Sequence, residues 1–244
     1  MGFLKKMMAS VGVGAAKVDA QLRDRAVRIG DPLNGVVVVK GGAVEQTIER
    51  INLGIATRYR HDDSYVTHTL FTQPVTGNFV IRPGETQEFP FSVVIPAGTP
   101  LTLPGTAVWL ITDADIAGAA DPGDNDQLTI LPSAGMETLI NAAQRLGFSL
   151  AKSEVEHHHG RIAQELSFRP PHGQYKLTEL ELMMFPNGDG LDVILEVDRR
   201  ATGVASLFTS EFESKDRWNV PGHLLRQGPD AVAHELEGRI KRLS

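Results

Sequence analysis

The chain of 244 residues contains no cysteine. This absence excludes disulfide bridges and thiolate metal ligands, and it favours a reducing compartment, so we predict a cytoplasmic protein. Long apolar runs are also missing, because no stretch approaches the roughly 18 consecutive apolar residues that a membrane-spanning helix needs. The apolar run around Lys5 and Lys6 is interrupted, so we predict no secretory signal peptide.

An excess of positive charge is absent as well. The chain has 24 basic and 30 acidic residues and a net charge of −6. Up to Leu131 there are 11 basic and 14 acidic residues, and 13 and 16 follow it, so each half carries −3. Nucleic-acid binding needs a basic surface that contacts phosphates. We therefore expect no nucleic-acid ligand.

The residues that are present favour a strand-rich fold. Hydrophobic residues make up 41% of the chain, which is ordinary globular usage, and the length suits two domains of roughly 100 residues each. Phe89, Phe91, Val93 and Ile95 alternate onto one strand face between turn residues on both sides. Short apolar runs of this kind recur through the first half, which is typical of a β-sandwich.

A second set of strands follows in the other half of the chain. Leu180 and Leu182 share one face of a strand, and Leu191, Val193 and Leu195 share one face of the next strand. The alternate positions of both strands are mostly acidic. The pattern predicts a hairpin with one buried face and one acidic face.

Three segments have a helical period instead of a strand period. Between Pro132 and Gly147 an apolar stripe follows Ser133, a candidate N-cap, and ends at Gly147, a candidate C′ residue. The two terminal segments carry apolar residues at i, i+4 and i+8. These residues are Phe3, Met7 and Val11 near the N-terminus and Val232, Leu236 and Ile240 near the C-terminus. Such stripes dock in the same chain, on a second copy or on a partner, so we take these six as candidate interaction residues.

The patterns together predict a mainly β chain with two tandem sandwich domains. The predicted segments are an N-terminal helix at 1–16, a first sandwich at 17–131, a linker helix at 132–147, a second sandwich at 148–222 and a C-terminal amphipathic helix at 223–244.

One segment is rich in carboxylates. Asp113 and Asp115 precede residues 121–126, which read Asp-Pro-Gly-Asp-Asn-Asp. Calcium prefers several oxygen ligands from one loop, but the EF-hand spacing and its closing Glu are missing here. Asp, Pro, Gly and Asn are favoured turn residues. We predict a turn, and a metal-dependent hydrolase that uses this loop remains an alternative.

Histidines offer a second candidate for chemistry. His157, His158 and His159 are consecutive, and successive side chains of a strand point to opposite faces, so only the outer two could converge on a metal. His61 stands beside two aspartates, but no nucleophile motif accompanies it. We predict a polar strand end or loop at the histidine run and a loop between strands at His61, and we expect no catalytic residue, metal or cofactor. The histidine run is the second version of the hydrolase alternative.

The two tryptophans differ in their sequence context. Trp109 lies in an apolar strand run and is predicted to be part of a core. Trp218 lies among polar residues and is a candidate for contact with a partner, with packing under the C-terminal helix as the alternative.

Several further segments form a recognisable set. They are residues 1–19, a predicted short helix that ends in Val-Gly-Val-Gly-Ala-Ala-Lys-Val-Asp, and residues 40–46, 89–92, 108–112, 115–116 and 121–124. Together they resemble the bacterial sporulation-control protein family (stage-zero sporulation, locus M). The resemblance implies two arrestin-like, immunoglobulin-like sandwiches and a cytoplasmic regulatory role without catalysis. The tail from Asp216 to Ser244 lies outside the resemblance, so no partner surface is carried over to the C-terminal helix.

These observations predict a scaffold or adaptor that binds other proteins and influences sporulation or cell-cycle progression. Sheet edges and grooves are the surfaces that such a fold offers to a partner, whose identity the sequence does not give. Exchange of terminal helices between two copies would give a homodimer. A further alternative is peripheral membrane binding through the N-terminal helix, where Lys5 and Lys6 would add only about 1 kcal/mol each.

Overall fold

The computed structural model describes residues 14–61, 64–117, 122–158, 161–198 and 213–243. Phe3, Met7 and Val11, and with them the predicted N-terminal helix, lie outside these residues. The strands are β1 (Lys17–Leu22), β2 (Ala26–Arg28), β3 (Pro32–Lys40), β4 (Gln46–His61), β5 (Ser64–Thr76), β6 (Phe79–Ile81), β7 (Thr86–Val94), β8 (Val108–Ile116), β9 (Gly123–Leu131), β10 (Ser149–His158), β11 (Arg161–Arg169), β12 (Glu179–Asn187), β13 (Gly190–Asp198) and β14 (Glu213–Val220). The helices are α1 (Ala134–Arg145), α2 (Gly222–Arg226) and α3 (Pro229–Leu243).

The chain divides into two compact units. The first consists of the chain up to Arg58 together with Val66–Thr102 and Ala107–Leu131. The second consists of Tyr59–Tyr65, Leu103–Thr106 and the chain from Pro132 onward.

The first unit has two sheets. One has the strand order β1-β3-β7, and the other has the order β2-β9-β8-β4-β5 with β6 also paired to β4. Strand β1 contacts β8 and β9, which brings the two sheets together. The alternating apolar residues of both sheets are buried between them, as the sequence pattern predicts, among them Val37, Val39, Ile51, Leu53, Ile55, Phe91, Val93, Val108 and Leu110.

The Asp-rich segment does not form the predicted turn within the described residues. Asp113 and Asp115 belong to β8, and Asp124 and Asp126 belong to β9. The ladder continues through them, because Thr112 pairs with Asp124 and Asp113 pairs with Gly123. Asp has a low strand propensity, but cross-strand pairing and side-chain partners outweigh that preference here.

The second unit has one sheet among its described strands. Strands β10 to β14 pair antiparallel in chain order. The sequence predicts a second sandwich over residues 148–222, whereas in this unit helices supply the second layer. Helix α1 contacts β10 and β13, α2 contacts β13, and α3 contacts α1 and β14. The apolar stripes of the helices explain this packing, because each must bury one face.

The ends of the helices follow the sequence signals closely. The Ser133 hydroxyl accepts a hydrogen bond from the Met136 amide, and Gly147 has φ +84°, so the predicted cap residues of α1 are confirmed. The predicted single helix at 223–244 is instead two helices, α2 and α3, and Gly228 with φ +94° lies between them. No helix in the described part of the chain is long and apolar enough to cross a membrane.

Candidate functional site

Strand β5 forms an edge of the larger sheet in the first unit. It stands at the end of the strand order, beside β4. None of its thirteen residues is buried, and Val66 is 36% exposed. Residues 64–81 contain no Asp, Glu, Lys or Arg. The edge is therefore long, exposed and uncharged.

The strands at the other ends of the described strand orders differ from β5, because each carries charged side chains. Their charged side chains are Lys17 and Asp19 on β1, Arg28 on β2, Glu88 on β7, Lys152, Glu154 and Glu156 on β10, and Lys215, Asp216 and Arg217 on β14. Charged side chains on an edge oppose the addition of a further strand. Pro74 is the strand-breaking residue on β5, and it leaves the stretch before it uninterrupted.

The carboxylates of the Asp-rich segment have partners inside the first unit. An Asp124 carboxylate oxygen accepts a hydrogen bond from the Ala20 amide at 3.0 Å, and Arg25 pairs with Asp126 at 3.0 Å. Burial is the main cause that raises the pKa of Asp126, and the neighbouring Asp124 adds to it. These contacts join β9 to strand β1 and to the β1–β2 connection.

Part of the same segment lines a polar cavity. This cavity has a volume of about 290 Å³ and lies over β4, β5, β8 and β9. Asn52, Thr69, Asp113, Asp124 and Asn125 are among its lining residues. No group of three or more His, Asp or Glu side chains arranged to hold a metal ion occurs in the described residues.

The described members of the two candidate histidine groups, His61, His157 and His158, lie at strand ends. His157 and His158 are the last residues of β10, and His61 is the last residue of β4. His158 pairs with Arg161 across the hairpin. His159, Asp62 and Asp63 lie outside the described residues. His157 and His158 fall at a strand end, as predicted, whereas His61 ends a strand instead of lying in the predicted loop between strands.

The C-terminal candidate residues are buried in the second unit. Val232, Leu236 and Ile240 are fully buried on α3, and Trp218 is 4% exposed on β14. The Arg239 guanidinium lies 4.8 Å from the Trp218 ring centroid. The sequence allows these residues to pack in the same chain, on a second copy or on a partner. In the structure they pack within their own chain.

Trp109 differs from its prediction. Its side chain is half-buried instead of part of the core, and Arg58 lies over its ring at 5.9 Å. The cause is the strand alternation, since Val108 and Leu110 point into the sandwich and Trp109 points to the opposite face.

The second unit has an acidic sheet face opposite the helix-covered face. One row of cross-strand neighbours crosses all five strands of this face: Lys152, Ser167, Glu181, Glu196 and Lys215. Lys215 pairs with Glu196 at 2.9 Å, although the Glu196 side chain is only 7% exposed. A buried carboxylate needs such a partner to stay ionised.

Glu165 and Glu181 form a carboxyl pair on this face. Burial followed by the charge of Glu165 raises the pKa of Glu181 to about 8. Burial also raises the pKa of Glu165, whereas a hydrogen bond with Glu181 opposes that rise. The pair therefore holds one proton at neutral pH, with Glu181 as the donor to Glu165.

The family model described as SpoOM protein matches residues 4–201. The chain belongs to the SpoOM protein family. The sporulation-control protein spo0M of Bacillus subtilis (strain 168) is 40% identical over 215 residues, which cover 84% of this chain and 83% of that protein. The crystal structure of Spo0M from Bacillus subtilis has a TM-score of 0.83 at 33% identity and covers 95% of this chain and 100% of that chain.

Sequence reasoning missed two features of this SpoOM family member. The first is the uncharged edge β5, whose signal is the absence of charge from residues 64–81. The second is the carboxyl pair on the acidic face. Its signal is the alternation of Glu179 and Glu181 with leucines, but only the sheet register shows that Glu165 lies beside Glu181.

Proposed function

We propose that this SpoOM family member is a non-catalytic regulator of sporulation that acts as a scaffold and binds a protein partner at strand β5. The observation that carries the proposal is the exposed, uncharged edge of β5 in the first unit. An extended segment of the partner would add to the sheet beside β5.

The physical basis is the hydrogen-bonding capacity of a sheet edge. Main-chain groups along an edge bind an added strand, and the alternating side chains set its specificity. Edge strands that are protected against pairing with another chain carry charges or are very short. Strand β5 is long, and residues 66–76 of the first unit are rich in Thr and contain the apolar Leu70 and Phe71. These features favour a β5 edge that binds a partner strand over one that stays exposed to solvent.

The non-catalytic part of the proposal draws on the contacts of the Asp-rich segment. Asp124 and Asp126 bind the Ala20 amide and Arg25, which are roles in holding strands together. A metal-dependent hydrolase remains the competing function. Metal analysis of the purified protein separates the two, since a stoichiometric metal that a chelator removes would contradict the non-catalytic role.

Similarity supports the regulatory part. The relative from Bacillus subtilis is named as a sporulation-control protein. We extend the proposal to a cytoplasmic location and to the arrestin-like arrangement of the sandwich. The partner is a protein of unknown identity, and a homodimer is the alternative in which a second copy supplies the added strand.

A complementation experiment tests the proposal. The chain is expressed in a Bacillus subtilis strain that lacks its sporulation-control protein spo0M, and heat-resistant spores are counted. We expect the chain to change the spore count and Thr67→Lys to abolish that change, because a lysine on the exposed edge opposes strand addition. An effect of the chain that Thr67→Lys leaves intact would contradict the role of β5.

The matched control is Thr129→Lys. Thr129 is also an exposed strand threonine of the first unit, but β9 is flanked by β2 and β8. This variant adds the same charge away from an open edge, so we expect it to retain the effect. Both variants should change the free energy of unfolding by only about 0.5 kcal/mol, since they are surface substitutions.

A further inference from the structure

Ser167 has a hydroxyl that lacks a partner on the acidic face of the second unit. The residue is 1% exposed, and its Oγ atom has no hydrogen-bond partner among the described residues. Ser167 lies directly opposite Glu181 and two residues from Glu165 on the same face of the sheet. A buried hydroxyl without a hydrogen-bond partner is unfavourable, so a donor that binds the Ser167 Oγ atom would be stabilising.

Negative charge exceeds positive charge around this hydroxyl. The charged side chains that the register places on this face of the five strands, among the described side chains, are Lys152, Glu154 and Glu156 on β10, Glu165 and Arg169 on β11, Glu179 and Glu181 on β12, Asp192, Glu196 and Asp198 on β13, and Lys215 and Arg217 on β14. Lys215 pairs with Glu196, and Lys152 acts on Glu165. Eight carboxyls thus face four cations among the described side chains, and the Glu165–Glu181 pair shares a proton instead of a cation.

We propose that the Glu165 and Glu181 carboxyls and the Ser167 hydroxyl bind a lysine ammonium group, presented by a basic segment of another protein. An ammonium group has three donors, and the site offers two carboxylates and a hydroxyl oxygen as acceptors. The site belongs to the second unit and shares no residue with β5, so either proposal can fail while the other holds.

The geometry favours an ammonium group over a metal ion. Calcium and magnesium need six or more oxygen ligands at short distance, and the described residues contain no group of three acidic or histidine side chains arranged for a metal. A segment with several lysines fits better than a small amine, because the acidic groups extend from β10 to β13. Three strand spacings of about 4.8 Å make this distance about 14 Å.

Binding of the ammonium group has a proton signature. At pH 7 Glu181 is largely protonated, because its pKa is about 8. A cation beside both carboxyls favours the ionised form of each, so binding releases the shared proton. We therefore expect tighter binding at pH 8 than at pH 6, and weaker binding as salt screens the charges.

Calorimetric titration of the full chain tests the proposal. The probe is a synthetic peptide of eight residues with alternating Lys and Ala, titrated at pH 7 in two buffers that differ in ionisation enthalpy. We expect binding with release of nearly one proton per site. Glu181→Gln should abolish the proton release, and Ser167→Ala and Glu165→Gln should each weaken binding by about tenfold, the effect of one hydrogen bond to a charged group.

Two controls make the result specific. The same peptide with acetylated lysines should not bind, and Glu88→Gln on β7, which removes an exposed carboxylate of the first unit, should bind like the unmodified protein. Equal binding of the acetylated peptide, or unchanged affinity and proton release in Glu181→Gln, would overturn the proposal. Equal proton-linked binding of spermine or calcium without peptide binding would overturn the assignment to a protein segment.

Discussion

Glu181 lies in the middle of a strand, between acidic neighbours on both sides. Its cross-strand partners are Ser167 and Glu196, and Glu165 lies in the next row. None of these groups supplies a positive charge to it. The result is a carboxyl group that is neutral at a pH where an exposed glutamate is ionised.

The raised pKa of Glu181 predicts a pH dependence of stability. In the unfolded chain this carboxyl titrates near 4.5, and in the folded protein it titrates near 8. The protonated form therefore favours folding below pH 4.5, and that contribution is lost as the pH rises from about 4.5 through 8. We expect Glu181→Gln to be more stable than the unmodified protein at pH 8 by about 1–2 kcal/mol, a value discounted for solvent screening of this half-exposed group.

Urea unfolding at pH 5 and at pH 8 measures this difference. The stability gain of Glu181→Gln should be small at pH 5 and larger at pH 8. The control is Glu88→Gln, the same substitution at an exposed carboxylate on β7 of the first unit. A gain for Glu181→Gln that is the same at both pH values would contradict the raised pKa.

The two tryptophans provide a second prediction at the scale of the residue. Trp218 is buried under α3, and Trp109 is half-buried beside Arg58. We expect acrylamide to quench the fluorescence of Trp218 less than that of Trp109, because quenching needs contact with solvent. The variants Trp109→Phe and Trp218→Phe each leave one tryptophan for the measurement. Equal quenching in both variants would contradict the burial of Trp218.

At the scale of the element, local signals in the sequence predict much of the structure. The alternation of Leu191, Val193 and Leu195 and the cap residues of α1 all appear where the pattern places them. These features depend on neighbours within one or two turns of chain. They are therefore accessible from sequence alone.

Other elements depend on contacts between distant parts of the chain. Asp124 is a strand residue because Thr112 pairs with it and the Ala20 amide binds its side chain, 104 residues away. The closeness of Glu165 and Glu181 likewise requires the register between β11 and β12. No local propensity contains this information, so the turn prediction failed at Asp124 and the carboxyl pair was missed.

Gly147, which follows the end of α1, and Gly173 together test how much the close contact with Pro171 contributes to stability. Both have a positive φ, but a Cβ atom on Gly147 would lie 3.1 Å from Pro171, whereas nothing lies within 4 Å of one on Gly173. We expect Gly147→Ala to lower the free energy of unfolding by about 2–3 kcal/mol and Gly173→Ala by about 1 kcal/mol, the cost of the left-handed backbone alone. Urea unfolding measures both, and an equal loss in the two variants would show that the contact with Pro171 is unimportant.

At the scale of the whole molecule, family membership and surface chemistry point to the same kind of protein. The chain resembles a sporulation-control protein over most of its length. Its net charge of −6, divided evenly between its halves, predicts a protein partner instead of nucleic acid. Partner binding at a sheet edge is the central claim, because β5 is a long, exposed edge strand without charged side chains.

Site-specific photocrosslinking in sporulating cells tests this claim most directly. A photoreactive residue replaces Thr69 on the exposed edge of β5, and a second variant carries it at Thr129 on the flanked strand β9. We predict a crosslink to one defined protein from Thr69, lost when Thr67→Lys is added, and no such crosslink from Thr129. The same crosslinked protein from both positions, or none from Thr69 in cells where the chain controls sporulation, would contradict the account.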